Sequence, residues 1–230
     1  MKPYYQDKWV TIYHGDCREV LSQLEVNSGL ILTDPPYNVG KDYGNGSKAD
    51  RRPDYLQWLN DIWVASARVV EEGNFLIFTN TTQFIPSGMA PPLPWRYLHL
   101  ACWNKPLSLR PAFYGICPHW EPIFIYYKGE KPWRPFRNRQ VFNDVVNANV
   151  VYDKTGNKKH PTPKPLELYL PIIPFFTPPT GIVLDLFIGT GTVLAAAKLL
   201  GYKSIGIDNN KKYCEIAARR CCQEVMELKV

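Results

Sequence analysis

Short apolar runs, separated by polar, glycine- or proline-marked breaks, recur along the whole chain with a spacing that alternates between strand and helix periods. Val10-Thr11-Ile12-Tyr13 reads as a strand that ends at His14-Gly15-Asp16, and Cys17–Leu24 then carries Val20, Leu21 and Leu24 at helical spacing. Leu30–Thr33 reads as the next strand. It stops at Asp34-Pro35-Pro36, because two successive prolines end a strand or a helix. Asn38–Pro53 is polar and punctuated by Gly40, Gly44 and Gly46, the pattern of a mobile loop that would order over a substrate. Tyr55–Val70 is predicted to be an amphipathic helix and Asn74–Phe78 the strand after it. A proline-rich stretch, Pro86–Pro94, leads to two further predicted strands, Tyr97–Trp103 and Pro122–Tyr127. Pro165–Phe176 has helical spacing that Pro171 and Pro174 should bend or interrupt.

The clearest unit comes last: strand Ile182–Leu186, turn Phe187–Thr190, helix Gly191–Leu200, strand Lys203–Ile207 and helix Lys211–Val225. Strands separated by helices predict an α/β fold with a mostly parallel sheet and helices on both faces. The 230 residues, 45% of them hydrophobic and 21% charged, suit a single domain with a real core. No run approaches the ~20 apolar residues that span a bilayer, and Met1–Lys8 has no apolar signal core. A cytoplasmic protein with no membrane partner is therefore expected. The six cysteines include no C-x-x-C pair, so reduced thiols are expected. Cys117-Pro118-His119 lacks a second ligand pair, and no metal site is predicted.

Charge sharpens the picture. Lys128, Lys131, Arg134, Arg137, Arg139, Lys154, Lys158, Lys159 and Lys164 stand against only Glu130, Asp144 and Asp153 in that segment, a surplus equal to the +6 of the whole chain. With Trp133, Phe136 and Phe142 interleaved, the segment suits a polyanion such as nucleic acid; the bland reading is a solvated lysine-rich loop.

Asp185-Leu186-Phe187-Ile188-Gly189-Thr190-Gly191-Thr192 sets two glycines where a buried strand turns into a helix, so a ligand can approach the backbone beside a helix amino terminus. A dinucleotide fingerprint wants a third glycine at position 194, which is Leu194, and this argues against a nicotinamide-dependent oxidoreductase. Asp208, 23 positions after Asp185, ends the next strand, where a carboxylate can accept from both hydroxyls of a ribose or cap the following helix. Asp185 is placed to face an ammonium group. Two such acids suit a ligand with a cationic amino-acid moiety and a free ribose, and S-adenosylmethionine has both.

Asp34-Pro35-Pro36-Tyr37 is the most specific tetrapeptide in the chain. An exocyclic base amine is a poor nucleophile because its lone pair is delocalised into the ring. If the Asp34 carboxylate and the Pro35 carbonyl both accept its hydrogens, the lone pair turns toward a tetrahedral direction. Pro36 and Pro35 fix the backbone, so the acceptors are preorganised. Tyr37 offers a face for stacking, as flipped bases are gripped by aromatic rings. The bland reading is a strand-ending turn with Tyr37 as packing.

Together these motifs resemble the DNA amino-methyltransferases of the β order, in which the Asp-Pro-Pro-Tyr turn precedes the cofactor motif. The resemblance implies roles along most of the chain. His14-Gly15-Asp16-Cys17 is similar to the element that contacts the cofactor adenine. Cys102-Trp103-Asn104-Lys105, His119-Trp120-Glu121 and Tyr127-Lys128-Gly129 are similar to strands shaping the target-base pocket. His160-Pro161-Thr162-Pro163-Lys164-Pro165 resembles the segment whose lysine, here Lys164, meets the methionine carboxylate, with Pro163 where relatives commonly have glutamine. Asp185–Thr192 resembles the methionine-binding loop, with Phe187, Gly189, Gly191 and Thr192 against the cofactor. Asn104, Lys105, Arg134, Arg137, Arg139, Lys158 and Lys159 become the candidate contacts to double-stranded DNA, most of them in a small basic recognition insert at about 129–160 of a single 1–230 domain. The implied fold is a circularly permuted Rossmann-like sheet, in which Val10–Tyr13 pairs beside the carboxyl-terminal strands and brings Asp16 next to Asp208. The implied activity is methyl transfer to N6 of adenine, with N4 of cytosine as the alternative and a non-enzymatic nucleic-acid-binding module as the distant one. A homodimer and a partner restriction endonuclease are open at this point.

Overall fold

The computed structural model describes residues 1–42, 50–106, 119–132, 141–151 and 164–222. Its strands are β1 (Tyr5–Gln6), β2 (Val10–His14), β3 (Ser28–Thr33), β4 (Val70–Thr79), β5 (Trp95–Asn104), β6 (Trp120–Lys128), β7 (Val145–Asn147), β8 (Ile182–Asp185) and β9 (Ser204–Asp208). The helices are α1 (Cys17–Gln23), α2 (Tyr55–Ser66), α3 (Ile85–Gly88), α4 (Ile172–Phe176), α5 (Thr192–Leu199) and α6 (Lys211–Cys222). One sheet contains all nine strands in the order β1-β2-β9-β8-β3-β4-β6-β5-β7. From β2 to β4 every neighbouring pair is parallel, whereas β6 is antiparallel to both β4 and β5.

The permuted pairing is present: Val10 stands opposite Ser204 and His14 opposite Asp208, so the amino-terminal strand completes the carboxyl-terminal half-sheet. All six residues of β3 are buried, as expected for a parallel strand covered on both faces. Successive side chains feed opposite layers. Ile31, Leu76 and Phe78 pack under α1 and α2, while Leu30, Leu32, Phe75 and Ile77 pack under α4 and α5. Helix α2 buries Tyr55, Trp58, Leu59, Ile62, Trp63 and Ser66, a single stripe at three- and four-residue spacing. Among the described residues no helix is long and apolar enough to cross a membrane.

The structure adjusts several sequence boundaries. The helix expected over Tyr55–Val70 ends at Ser66, a 3-10 turn covers Ala67–Val69, and Val70 already belongs to β4. The interrupted segment 165–176 splits into a 3-10 turn at Leu166–Leu168 and α4, with Pro171 as the helix cap. Strands β1 and β7 have no counterpart among the predicted elements. β7 lies within the stretch read as a basic insert, yet it extends the sheet beside β5, pairing Cys102 with Val145. Phe142, read as one of the aromatics among basic residues, packs instead on Phe175 and Phe176, with ring centroids 5.3 and 5.0 Å apart.

Candidate active site

The carboxyl ends of β2, β9, β8, β3 and β4 lie at one edge of the sheet, and five acidic or hydroxyl side chains arrive there because each parallel strand ends in a polar residue. These are Asp208 and Asp185 ending β9 and β8, Thr33 and Thr79 ending β3 and β4, and Asp34 just beyond β3. Open α/β sheets bind ligands at this edge.

The glycine turn leaves β8 with Gly189 at φ 47 and Gly191 at φ 77. A side chain at Gly191 would also meet the Ala217 Cβ of α6 at 2.8 Å, so backbone conformation and helix packing both require glycine. Asp185 is 2% exposed; its Oδ1 accepts from the Thr33 hydroxyl at 2.7 Å and from the Phe187 amide at 3.1 Å. Burial pushes its carboxyl from an ordinary 3.8 up to about 7, against the lowering effect of those two donors. Among the described residues no ion pair reaches it. A buried carboxylate so placed is suited to a cationic ligand group, which would supply the missing countercharge. Asp208 accepts from the Gly189 and Asn210 amides at 2.9 and 2.8 Å, and burial raises it to about 6. Its own carbonyl accepts from the Gly15 amide at 2.9 Å, which brings Asp16 beside it.

Asp16 caps α1 through the Arg18 amide at 2.9 Å and pairs with the Arg18 guanidinium at 2.7 Å, which holds its carboxyl below the usual range. Cys17 is 6% exposed and packs in the core with Val20 and Leu21, so a ligand contact from this position falls to its backbone. Phe187 tilts against Trp58, with centroids 5.8 Å apart, and Trp58 in turn lies under the Arg52 guanidinium. The Thr192 hydroxyl accepts from Arg220 at 2.9 Å.

Asp34 gathers its donors on one oxygen. Oδ1 accepts from the Tyr37 hydroxyl at 2.5 Å and from the Thr79 hydroxyl, with the Lys164 ammonium 3.3 Å away. Oδ2 and the Pro35 carbonyl have no internal hydrogen-bond partner among the described residues, whereas the Pro36 carbonyl accepts from Tyr55 at 2.8 Å. Tyr55 is itself held by the Asn80 amide at 3.0 Å, which braces the turn from α2.

Tyr37, read as an open stacking face, is 8% exposed. Its hydroxyl receives Lys164 Nζ at 2.6 Å, and the Lys164 and Lys41 ammonium groups lie 4.8 and 5.8 Å from the ring centroid. Burial first, then the nearby Asp34 and Glu121 carboxylates, push its ionisation well above the ordinary range, so the hydroxyl stays a donor. Lys164 is buried, 2.7 Å from Glu121, and touches the Asp34 side of the cleft. Lys105, counted from the sequence among DNA contacts, is corrected by the structure: it is 2% exposed and lies 2.9 Å from Glu121, inside the pocket wall and out of reach of a phosphate. Asn104 bonds to the Asn147 side chain at 2.7 Å across the β5–β7 edge. Arg134, Arg137, Arg139, Lys158 and Lys159 lie outside the described residues, as do Cys117 and the middle of the 38–53 loop. The neck of that loop is fastened: buried Asp50 accepts from the amides of Asn38, Val39 and Lys41, and Asn38 bonds reciprocally with Arg52.

Sequence reasoning did not single out Thr33, Thr79 or Tyr55. The first two carried a usable signal, since each is the polar residue at the carboxyl end of a buried apolar strand.

The chain is similar in sequence and in fold to known proteins. The sequence profile described as "DNA methylase" matches residues 29–219. The type II methyltransferase M.HpaI of Haemophilus parainfluenzae is 30% identical over 227 residues, covering 90% of this chain and 72% of that protein. The DNA adenine methyltransferase YhdJ of Escherichia coli K12 is 27% identical, covering 91% and 82%. Among solved structures, the PvuII DNA methyltransferase, cytosine-N4-specific, superposes with a TM-score of 0.75 at 17% identity, covering 96% of this chain and 89% of that one, a likeness of fold.

Proposed function

The chain belongs to the DNA methylase family, and on that basis we propose that it methylates the exocyclic N6 amine of adenine in double-stranded DNA with S-adenosylmethionine as cofactor. The observation that carries the reading is Asp34, with Oδ1 anchored by three donors while Oδ2 and the Pro35 carbonyl have no internal partner among the described residues. When bound, S-adenosylmethionine supplies a methyl group on a positively charged sulfur. Asp185 would fit its ammonium group and Asp208 its ribose hydroxyls, with Asp16, the Cys17 backbone, Phe187, Gly189, Gly191 and Thr192 around them; the Gly189 and Gly191 amides are already given to Asp208 and to the Ile188 carbonyl, so the two glycines would contribute close backbone approach. Lys164, which the resemblance pairs with the methionine carboxylate, is held in this structure by Glu121, the Tyr37 hydroxyl and Asp34.

Asp34 Oδ2 and the Pro35 carbonyl accept the two amine hydrogens and turn the nitrogen lone pair out of the base plane. The anchored carboxylate does this without reorganising, because its other oxygen is already fixed. Transfer would form the nitrogen–methyl bond as the methyl–sulfur bond breaks, the electron pair staying on sulfur so that S-adenosylhomocysteine leaves as a neutral thioether, and the surplus proton on the nitrogen would leave along the hydrogen bond toward Asp34. For Tyr37 to stack on the base, the lysines near its ring must give way. Such an enzyme works on DNA in the cytoplasm, at the nucleoid.

Adenine is preferred because Asp heads the tetrapeptide and because the E. coli relative is named for adenine. The fold likeness to a cytosine-N4-specific enzyme supports the second reading. One experiment tests both: DNA treated with the protein and cofactor is digested to nucleosides and the product identified by mass spectrometry. N6-methyladenine is expected, with none formed by Asp34→Ala although that variant still binds cofactor. N4-methylcytosine would select the second reading, and full activity of the variant would refute the mechanism.

A further inference from the structure

Four charged side chains from four separate segments form one continuous network behind the Asp34 turn. Lys105 Nζ lies 2.9 Å from Glu121 Oε1; Glu121 Oε2 receives Lys164 Nζ at 2.7 Å; Lys164 lies 3.3 Å from Asp34 Oδ1 and donates to the Tyr37 hydroxyl at 2.6 Å. Their side chains are 2%, 13%, 8% and 24% exposed for Lys105, Glu121, Lys164 and Asp34. Two cations and two anions balance. Glu121 reaches this place because it opposes Trp103 near the start of β6, while Lys105 follows the end of β5.

A structural ion pair of Lys105 with Glu121 would need only one carboxylate oxygen. The second oxygen goes to Lys164, which is shared between Glu121 and Asp34. We propose that Glu121 is a positioning residue for methyl transfer: by holding Lys164 it keeps that ammonium from closing onto Asp34, so that the Asp34 carboxylate remains a strong acceptor for the substrate amine. Lys105 fixes Glu121 from behind. Burial opposes the ionisation of Glu121, but the Lys164 and Lys105 charges overcome it and hold the carboxyl at about 2, so it is a carboxylate throughout the working range. The kinetic consequence rests on the methyl-transfer reading, whereas the structural consequence rests on the ion network alone.

The test compares wild type, Glu121→Gln and the double variant Lys105→Met/Glu121→Gln. The single variant leaves Lys105 buried without its carboxylate and can fail by unfolding. The double variant removes one charge of each sign and is expected to regain the thermal midpoint. With labelled S-adenosylmethionine and DNA, both variants should lose kcat on the order of 10²-fold while the Michaelis constants change by less than about threefold, the signature of a mispositioned catalytic group. A double variant with wild-type kcat would make Glu121 merely a partner for Lys105 and overturn the proposal. In a crystal structure of the double variant, Lys164 Nζ should approach Asp34 more closely than 3.3 Å. A Lys164 that stays in place refutes the positioning role whichever acceptor the wild type methylates. Absence of DNA methylation by wild type, with the Lys164 movement intact, would count against the function and not against this role.

Discussion

At the level of single residues, the cleft stores carboxylates in places where water cannot fully solvate them. Asp185, raised to about 7, and Asp208, raised to about 6, bind their protons more tightly in the folded protein than in the unfolded chain, where they titrate near 3.8. The stabilisation from these protonated forms is therefore present at low pH and is lost as pH rises from about 4 through 7, when each must ionise in its buried site. A cationic ligand reverses the preference, since it needs Asp185 ionised. Cofactor affinity should rise across about pH 5.5 to 7.5, and calorimetry near pH 6.5 in two buffers of different ionisation heat should detect proton release on binding. Asp185→Asn should weaken binding and abolish most of that pH dependence. An affinity that is flat over the window in wild type would show that no buried carboxylate takes part.

Among the elements, the strand-turn-helix unit β8–α5 shows how little room the glycine turn has. Gly191 caps α5 in the left-handed region and lies against α6, and the next strand repeats the theme, because a side chain at Gly206 would meet Ile188 and Leu194. Gly191→Ala should cost about 1–2 kcal/mol for the left-handed conformation, plus about 1–3 kcal/mol for the forced overlap with Ala217. The expected result is a lower thermal midpoint together with weaker cofactor binding, read by calorimetry and titration. An unchanged midpoint would mean that α6 moves freely away from the turn. Elements with strong periodicity, such as α2 and β8, are legible from sequence to within a few residues. β1 and β7 are not, because strands of two and three residues carry too little pattern and exist through the neighbours that pair with them.

Across the molecule, the charge surplus is partly reassigned by the fold. Lys128 bonds to the Val70 carbonyl at 2.7 Å and lies 3.7 Å from Glu72, and Lys164 is buried in the cleft, so the two ends of the basic segment are committed internally. Seven basic residues remain against Glu130, Asp144 and Asp153, a surplus of four that the proposed function would direct to DNA. Replacing Arg134, Arg137 and Arg139 with alanine should weaken DNA binding at all sequences and flatten the plot of log affinity against log salt by roughly 0.9 for each phosphate no longer neutralised. Fluorescence anisotropy over a salt series measures it, and an unchanged slope would place the DNA surface elsewhere.

The α/β class follows from the alternation of strand and helix periods, the permuted order from the family resemblance, and the Asp34–Tyr37 and Asp185–Thr192 turns from contiguous residues whose backbone is set by local proline and glycine. What surrounds those turns follows from the three-dimensional packing instead. Lys105, Glu121, Lys164 and Asp34 are separated along the chain but become neighbours once β5 and β6 pair and the strand ends align. Nothing local distinguishes a lysine that will face a phosphate from one that will be buried against a glutamate. That difference arises from desolvation and partner charge, which depend on which segments the fold brings together.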